Sequence, residues 1–281
     1  MEYIKELLST GKGTEGQLLI PRKIYDVLVE EVDKALIPRS EIALYFGPND
    51  IPGSSIDVDL VTPDKMDVRI VAEGAEIPLD QTEYTSTNLK PLKYGVAIRI
   101  TREMMEDAKW NLLEHNIKIA GLRMAENENS LVISDALDSA ANSVSGGAAI
   151  TIANITRGMQ YVEENDYTPT TFVVGMEVLN DLRNVDTFVE ANKVGNTEML
   201  QRGFLGTIYG MNVIKASTNA GMTATSSYIY DKNHAVMMAE KRPVTIENFN
   251  LPTYDMSAAV VTQRLKLTAL RTAAIAKITT T

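Results

Sequence analysis

Residues 54–72 read SSIDVDLVTPDKMDVRIVA, and this stretch, with its continuation to residue 139, decides the fold. Apolar side chains alternate with mostly acidic ones over 56–60, a turn signal follows at 62–65, and the alternation returns over 68–72. The pattern predicts a long acidic β-hairpin. Because an isolated two-stranded ribbon is marginally stable in water, we expect the hairpin to be held by another copy of the same chain.

The two elements that follow the hairpin are a strand and one long helix. In Tyr94–Thr101 the residues Val96, Ile98 and Ile100 alternate with small or polar residues, and Thr101 is a candidate helix N-cap. Asn111–Ser139 then carries one apolar face at helical spacing, formed by Leu113, Ile117, Ala120, Met124 and Leu131. About 28 residues at about 1.5 Å each predict a rod of roughly 40 Å.

The flanking segments predict an arm, a compact α/β unit and a strand-rich tail. Residues 10–16 (TGKGTEG) are typical of a flexible arm, 21–38 of a helix bounded by prolines, and 41–47 of a short strand. Past residue 147, sequence patterns typical of helices and of strands alternate, which indicates a compact α/β unit. They predict a helix at Ile155–Asn165, a strand at Thr171–Val174, a helix at Met176–Asn184 and a strand at Met211–Ala216, then tail strands at Tyr228–Ala239, Val244–Phe249, Ala258–Thr268 and Arg271–Thr279.

Composition narrows the function classes. The 281 residues are 44% hydrophobic, enough for a substantial core, and the formal charge is −10. A protein that grips nucleic-acid phosphates normally shows a basic excess, which is missing here. Cysteine is absent, which excludes disulfides, thiolate metal sites and cysteine nucleophiles. No signal peptide or long apolar run is visible, so we expect a soluble protein that is not secreted and has no membrane contact.

Catalytic motifs find little support. Residues 11–16 fit G-x-G-x-x-G, but they do not join a strand to a helix as a dinucleotide site requires. His115 is predicted on the polar flank of the long helix, and His234 in the turn signal 231–234. No P-loop or G-x-S-x-G elbow is present. We therefore predict no enzymatic activity and no cofactor or metal.

Charge is distributed unevenly along the chain. Residues 41–90 carry ten acidic and three basic side chains, a local charge of −7. The segment after Asp255 carries four basic residues and no acid. A carboxylate cluster could bind a hard cation, but alternation along strands spreads these groups over a ribbon face. A surface that faces a partner is the better interpretation, and the opposite charges could steer the register of subunits.

The order of these elements resembles the major capsid proteins of tailed bacteriophages and related archaeal viruses, which share the Hong Kong 97-type fold. Residues 71–108 (VAEGAEIPLDQTEYTSTNLKPLKYGVAIRITREMMEDA) resemble the passage from the extended loop into the spine helix. Residues 168–184 (TPTTFVVGMEVLNDLRN) resemble the start of the axial domain, and 206–217 (GTIYGMNVIKAS) its later strand. Residues 242–250 (RPVTIENFN) and 263–281 (QRLKLTALRTAAIAKITTT) resemble the peripheral and C-terminal strands.

The resemblance implies an α+β fold with five parts: an N-terminal arm (1–45), an extended loop (46–93), a peripheral domain with the spine helix (94–145), an axial domain (146–240), and peripheral strands with the C-terminal strand (241–281). It also implies a homo-oligomer of hexamers and pentamers, closed into an icosahedral shell around double-stranded DNA that is bound without sequence specificity. Many relatives carry a long N-terminal scaffolding segment that is cut off; none precedes the arm here, so either scaffolding is a separate protein or this is a trimmed form. Portal and decoration proteins are further partners that the resemblance implies. The location would be the virion, after assembly in the host cytoplasm.

Some members of that family cross-link a loop lysine to an asparagine of a neighbour. Lys65 would be the lysine here, and Asn248 or Asn250 the acceptor. The family's catalytic glutamate has no match in this sequence, so we do not expect the cross-link.

The residues predicted at the assembly interface are charged side chains of the loop and the tail. They are Asp57, Asp59, Asp64, Lys65, Asp67, Arg69, Glu73, Glu76, Arg264, Lys266 and Arg271. Two alternatives stay open. One is an encapsulin-type nanocompartment of the same fold. The other is a soluble α/β enzyme that uses carboxylates of residues 41–90.

Overall fold

A computed structural model describes residues 39–62, 68–74, 76–77, 83–101, 103–104, 112–184, 206–218 and 221–281. The predicted arm at 10–16, the helix at 21–38 and Lys65 lie outside these residues. The twelve strands described are β1 (Leu44–Phe46), β2 (Ile56–Thr62), β3 (Glu83–Leu89), β4 (Leu92–Thr101), β5 (Asn142–Gly147), β6 (Thr171–Val174), β7 (Thr207–Ile208), β8 (Met211–Lys215), β9 (Ser226–Tyr230), β10 (Val236–Leu251), β11 (Met256–Ala269) and β12 (Ile275–Thr280).

Three α-helices lie in the described residues: α1 (Leu112–Leu131), α2 (Ile152–Glu163) and α3 (Met176–Asn184). The helix α1 continues as one π-helical stretch, Val132–Ala136, and a 3-10 turn, Leu137–Ser139. The long helix predicted at 111–139 is therefore confirmed over the described residues 112–139, with a change of helical type at its C-terminal end. The Thr101 hydroxyl accepts a hydrogen bond from the Met104 amide at 3.3 Å, which confirms the predicted cap.

The strands form a four-stranded sheet of order β1-β10-β11-β4, a six-stranded sheet of order β5-β12-β9-β6-β8-β7, and a two-stranded ribbon of β2 and β3. The pairs β10–β11 and β11–β4 are antiparallel, and β1 runs parallel to β10. In the six-stranded sheet β12 pairs parallel with β5 and antiparallel with β9. The predicted strand Tyr228–Ala239 is wrong, because a turn over 231–235 separates β9 from β10 and places them in different sheets.

The six-stranded sheet is the central layer, because both of its faces are covered. One face packs on α2 and α3 through a cluster that includes Phe172, Val174 and Ile229. The other face, with Val173 and Tyr230, packs on the π and 3-10 end of the long helix and on the four-stranded sheet. Side chains alternate along a strand, so β6, with every residue buried, contributes to both clusters.

One face of the four-stranded sheet packs on α1. Ile117, Ala120 and Met124 of α1 are buried against Val244 and Val261, which confirms the predicted apolar face for these three positions. The opposite face of β4 is exposed at Lys93, Gly95, Ala97 and Arg99. This sheet therefore leaves one side open in the isolated subunit.

Candidate assembly surfaces

The ribbon, formed by β2 and β3, differs from the predicted hairpin in its pairing. Ile56 lies opposite Leu89 and Thr62 opposite Glu83, so β2 pairs with residues 83–89 and not with 68–72. Residues 68–72 form neither a strand nor a helix. The prediction paired the first strand with the nearer apolar alternation at 68–72. In the structure Leu89 sets the register, because it is fully buried beside half-buried Ile56.

The base of the ribbon is part of the subunit core. Leu89 and Ile51 pack with Met237 and Ala239 of β10 in one buried cluster, and Ile56 and Val58 pack against it. Near the other end of β2, the Arg271 guanidinium donates to the Val61 carbonyl at 2.9 Å. The expectation that the ribbon has no intramolecular support is therefore wrong, since both ends of β2 contact the rest of the subunit.

The two faces of the ribbon differ in chemistry. One face pairs Ile56, Val58 and Leu60 with Leu89, Thr87 and Thr85, and its first rows are buried or half-buried. The other face pairs Asp57 with Asn88, Asp59 with Ser86 and Val61 with Tyr84, and all six side chains are exposed. The Asn88 side-chain amide donates to the Asp57 carboxylate at 2.5 Å. The outward face is thus polar and acidic, with one aromatic.

The connection between the strands exposes apolar side chains. Val68 and Ile70 show relative exposures of 104%, and Ile77 shows 71%. Such a group of apolar side chains in a monomer is typical of an interaction site. The described residues that join β2 to β3 therefore present surface that the subunit itself does not cover.

The predicted loop residues lie on this exposed region, where the structure describes them. Asp57 and Asp59 lie on the outward face of β2, and Arg69, Glu73 and Glu76 are exposed in the connection. Asp64, Lys65 and Asp67 lie outside the described residues. Glu73 and Glu76 flank the exposed apolar side chains, so the connection mixes acidic and apolar surface.

The predicted basic residues of the tail make bonds within the subunit. Lys266 pairs with Asp135 of the long helix at 2.6 Å, and Arg271 binds the ribbon as described above. Arg264 donates to the Pro91 carbonyl at 3.4 Å. Lys266 and Arg271 thus stabilise the subunit. The electrostatic role predicted for the tail between subunits stays a prediction.

A row of three cations crosses the open face of the four-stranded sheet. Arg242 lies opposite Arg264, and Arg264 lies opposite Lys93 on the next strand. Arg242 donates to the Thr262 hydroxyl at 3.0 Å, and its Nε is buried without a hydrogen-bond partner. No carboxylate in the described part of the chain forms an ion pair with any of the three. Because like charges directly opposite are unfavourable, an anionic partner would stabilise this row.

Sequence reasoning found Arg264 but missed Lys93 and Arg242. The signal for Lys93 was present in the alternation of Tyr94–Thr101, since that strand places Lys93, Gly95, Ala97 and Arg99 on one face. The meeting of Arg242 with Arg264 depends on the β-bulge between Glu240 and Thr245, for which the sequence carries no signal that we recognised.

The two histidines lie in separate elements of the structure. Within the described ranges no group of three or more His, Asp and Glu side chains is placed to hold a metal ion. His115 is exposed on α1. His234 contacts the buried Asp231 carboxylate at 2.7 Å, and Asp231 also accepts from the Asn233 amide in the same turn. The Asp231 carboxylate thus has a structural role in closing the turn.

No helix among the described residues is long and apolar enough to cross a lipid bilayer.

A small cavity lies where the long helix meets both sheets, with Glu41, Glu128 and Tyr230 in its lining. The carboxylates are already engaged. Glu41 accepts from the Thr171 hydroxyl, and Glu128 pairs with Arg39 at 3.1 Å. Burial, reinforced by the charge of Glu41, raises the pKa of the Tyr230 hydroxyl. The two carboxylates that line the cavity are therefore held by contacts within the subunit.

Comparison with known proteins assigns the chain to one class. A family model described as "phage capsid protein" matches residues 83–278. A comparison with curated proteins finds no match.

The fold is similar to solved capsid structures. A chain from Gordonia phage Cozz matches with a TM-score of 0.68 at 12% identity, covering 89% of this chain and 86% of that one. The asymmetric unit of the bacteriophage PhiM1 mature capsid matches with a TM-score of 0.67 at 10% identity, covering 85% of each chain. Mycobacterium phage Bobi matches at 17% identity with a TM-score of 0.63, covering 89% and 90%. The predicted capsid fold is confirmed.

Proposed function

The chain belongs to the phage capsid protein family, and on that premise we propose that it is the subunit of an icosahedral shell closed by hexamers and pentamers around double-stranded viral DNA. The observation that carries the proposal is the ribbon with its connection, which projects acidic and apolar surface that the subunit leaves uncovered. Contacts between unlike surfaces, repeated around an axis, close rings of this kind. The protein would act as a structural component of the virion and not as an enzyme.

The open face of the four-stranded sheet is the surface we assign to the ribbon of a second copy. Its floor includes the small residues Gly95 and Ala97, with the exposed Glu247 in the same row as Ala97, and the cation row of Lys93, Arg264 and Arg242 borders it. The ribbon and its connection carry exposed carboxylates at Asp57, Asp59, Glu73 and Glu76. Opposite charges on the two surfaces favour one orientation of the neighbouring subunits.

The shell would enclose the DNA without sequence-specific binding. A chain of formal charge −10 does not neutralise many phosphates. Separate scaffolding, portal and decoration proteins would act as partners during assembly in the host cytoplasm.

Particle formation tests the proposal directly. Analytical ultracentrifugation and negative-stain electron microscopy of the full chain, with and without a co-expressed scaffolding protein, are expected to show closed shells. If small discrete particles alone are found at every salt concentration and pH tested, the proposal is overturned and the enzyme alternative is favoured. Nuclease-protected double-stranded DNA in particles from the native source is expected for a capsid, whereas protein cargo without DNA would indicate a nanocompartment.

Charge reversal at the cation row tests the assigned contact. The change Lys93→Glu is expected to lower the assembled fraction, because it removes an attraction between opposite charges. It is also expected to reduce the dependence of assembly on salt, since salt weakens that attraction as the screening length falls from about 8 Å at ~0.15 M to about 3 Å at ~1 M. Lys215→Glu, at an exposed position of β8, is the matched control and should assemble normally. Equal assembly of both variants at all salt concentrations would show that the row is not part of the contact.

A further inference from the structure

Residues 39–46, which we call the strap, contact three separate parts of the subunit. The Arg39 side chain binds Glu128 of α1 and Glu240 of β10. The Glu41 carboxylate accepts from Thr171 of the six-stranded sheet. Strand β1 then pairs with β10, and the Ala43 amide donates to the Val236 carbonyl at 2.9 Å. Eight residues therefore connect the long helix and both sheets.

The contacts of Arg39 form a charge arrangement with one cation for two carboxylates. Arg39 Nη2 lies 3.1 Å from Glu128 Oε2 and 3.3 Å from Glu240 Oε1. Gln263 Nε2 donates to the same two oxygens at 3.1 and 3.0 Å. Both glutamates are 2% exposed. Two buried carboxylate oxygens thus face each other through shared donors, and among the described residues only the Arg39 guanidinium forms an ion pair with them.

Two tyrosines and Glu41 lie close to Arg39 and its two glutamates. Tyr45 donates to Glu240 Oε2 at 2.5 Å, and burial together with this hydrogen bond raises the pKa of Tyr45 to about 12. Burial opposes the charge on Arg39, but the two carboxylates outweigh it and raise the pKa of Arg39. Glu41 and Tyr230 face Glu128 across the small cavity. Tyr45 and Tyr230 therefore stay neutral at physiological pH, and Arg39 stays charged.

We propose that Arg39 is the latch that holds the strap against the long helix and β10. The latch holds because its cation compensates two buried carboxylates. When Arg39 is removed, Glu128 and Glu240 face each other without a counter-charge, and an unpaired buried charge is costly. The strap then opens while the clusters of the two sheets stay packed, so release is a local event. This goes beyond shell formation, since it is a property of the single subunit.

The test is hydrogen exchange of the full chain with Arg39→Gln. At pH 8 the amides of Ala43 and of β1 are expected to exchange at least about tenfold faster than in the unmodified chain. The reason is that losing a hydrogen bond to a charged group shifts the opening equilibrium by about tenfold or more. Arg123→Gln is the matched control, since Arg123 pairs with Glu126 on the surface with 62% side-chain exposure.

A neutral variant separates charge from folding. Arg39→Gln combined with Glu128→Gln and Glu240→Gln removes the unpaired charge, and its strap amides are expected to return toward the unmodified rate. Three results would overturn the proposal: unchanged exchange in the single variant, a triple variant as open as the single one, or a loss of protection spread over the whole chain. Because the readout is the strap's own amides, its failure is distinct from a failure to form shells.

Discussion

The six-stranded sheet and the ribbon place their side chains in opposite environments. Every residue of β6 and of β9 is buried, whereas the outward face of the ribbon is fully exposed and its connection carries Val68 and Ile70 at full exposure. Buried apolar area is the main source of stability. The difference teaches that the central sheet contributes most to folding, whereas the outward face of the ribbon contributes little.

Truncation of a core aromatic should have the largest effect on stability. Phe172→Ala removes a side chain of zero exposure in β6, and such changes cost about 3–5 kcal/mol. Urea denaturation should show this loss of the free energy of unfolding. Tyr84→Ala, at a ribbon residue of 69% exposure, should change it by no more than about 0.5 kcal/mol. Similar losses for both variants would break the contrast between the two regions.

A single added methyl group should act next most strongly. A Cβ at Gly175 would lie 2.4 Å from the Ala224 carbonyl oxygen and 2.6 Å from that of Thr223. Since backbone must move to relieve this, Gly175→Ala should cost about 1–3 kcal/mol. Gly47→Ala, whose Cβ would meet side-chain atoms only at 3.4 and 3.6 Å, is the matched control. A neutral result for Gly175→Ala in the same denaturation experiment would show that the core relaxes easily there.

Acid should weaken the contact between the long helix and the six-stranded sheet. Burial opposes ionisation of Asp138, but hydrogen bonds from Lys277 at 2.7 Å and Tyr228 at 2.5 Å outweigh it, so the pKa of Asp138 is lowered. A lowered pKa contributes stability that is present above the unfolded value of about 3.9 and is lost as the pH falls through the folded value.

The variant Asp138→Asn tests this contribution. It should lose about 0–1 kcal/mol at neutral pH, because the pair is partly solvent-screened. The gap to the unmodified chain should close as the pH falls below about 4. Asp59→Asn, on the exposed face of the ribbon, is the control and should show no gap. A gap that widened in acid would contradict the assignment. Thermal melting across the pH range measures both variants.

Replacement of the connection should change folding least and assembly most. Thr62 lies opposite Glu83, so residues 63–82 can be exchanged for the two-residue loop Asn-Gly that closes hairpins. We expect an unchanged free energy of unfolding, since the anchoring cluster of Ile51, Leu89, Met237 and Ala239 is retained. Negative-stain microscopy should show no closed shells. An unfolded variant would mean that the connection packs internally, and normal shells would place the contact elsewhere.

Local patterns predicted the secondary structure well where periodicity and burial agree. The strand Thr171–Val174 and the helix Met176–Asn184 have the predicted bounds, because each carries a strong apolar pattern of one period. The pairing of the ribbon was wrong because residues 83–89 (EYTSTNL) have only one large aliphatic side chain, Leu89. Its partner cluster, with Met237, comes from far along the chain, and no local pattern encodes that contact.

The candidate sites were predicted only in part for the same reason. Exposed carboxylates at Asp57 and Asp59 follow from alternation, and the structure places them outward as expected. The Arg39 contacts join Glu128 and Glu240, which lie 89 and 201 residues away. The split of Tyr228–Ala239 arises at Asp231, whose carboxylate and carbonyl close the turn. Such contacts depend on how the sheets meet, and spacing in the sequence does not report that.

The position of β12 inside the six-stranded sheet has a consequence for biosynthesis. Ile275–Thr280 lies between β5 and β9, so the central layer cannot close while these residues are still inside the ribosome. Chains emerge N-terminus first at about 5–20 residues per second, so β2 and β3 leave the ribosome before the core exists. The exposed apolar side chains between them, Val68, Ile70 and Ile77, are then displayed without a folded core behind them. The central layer can close only after β12 has emerged.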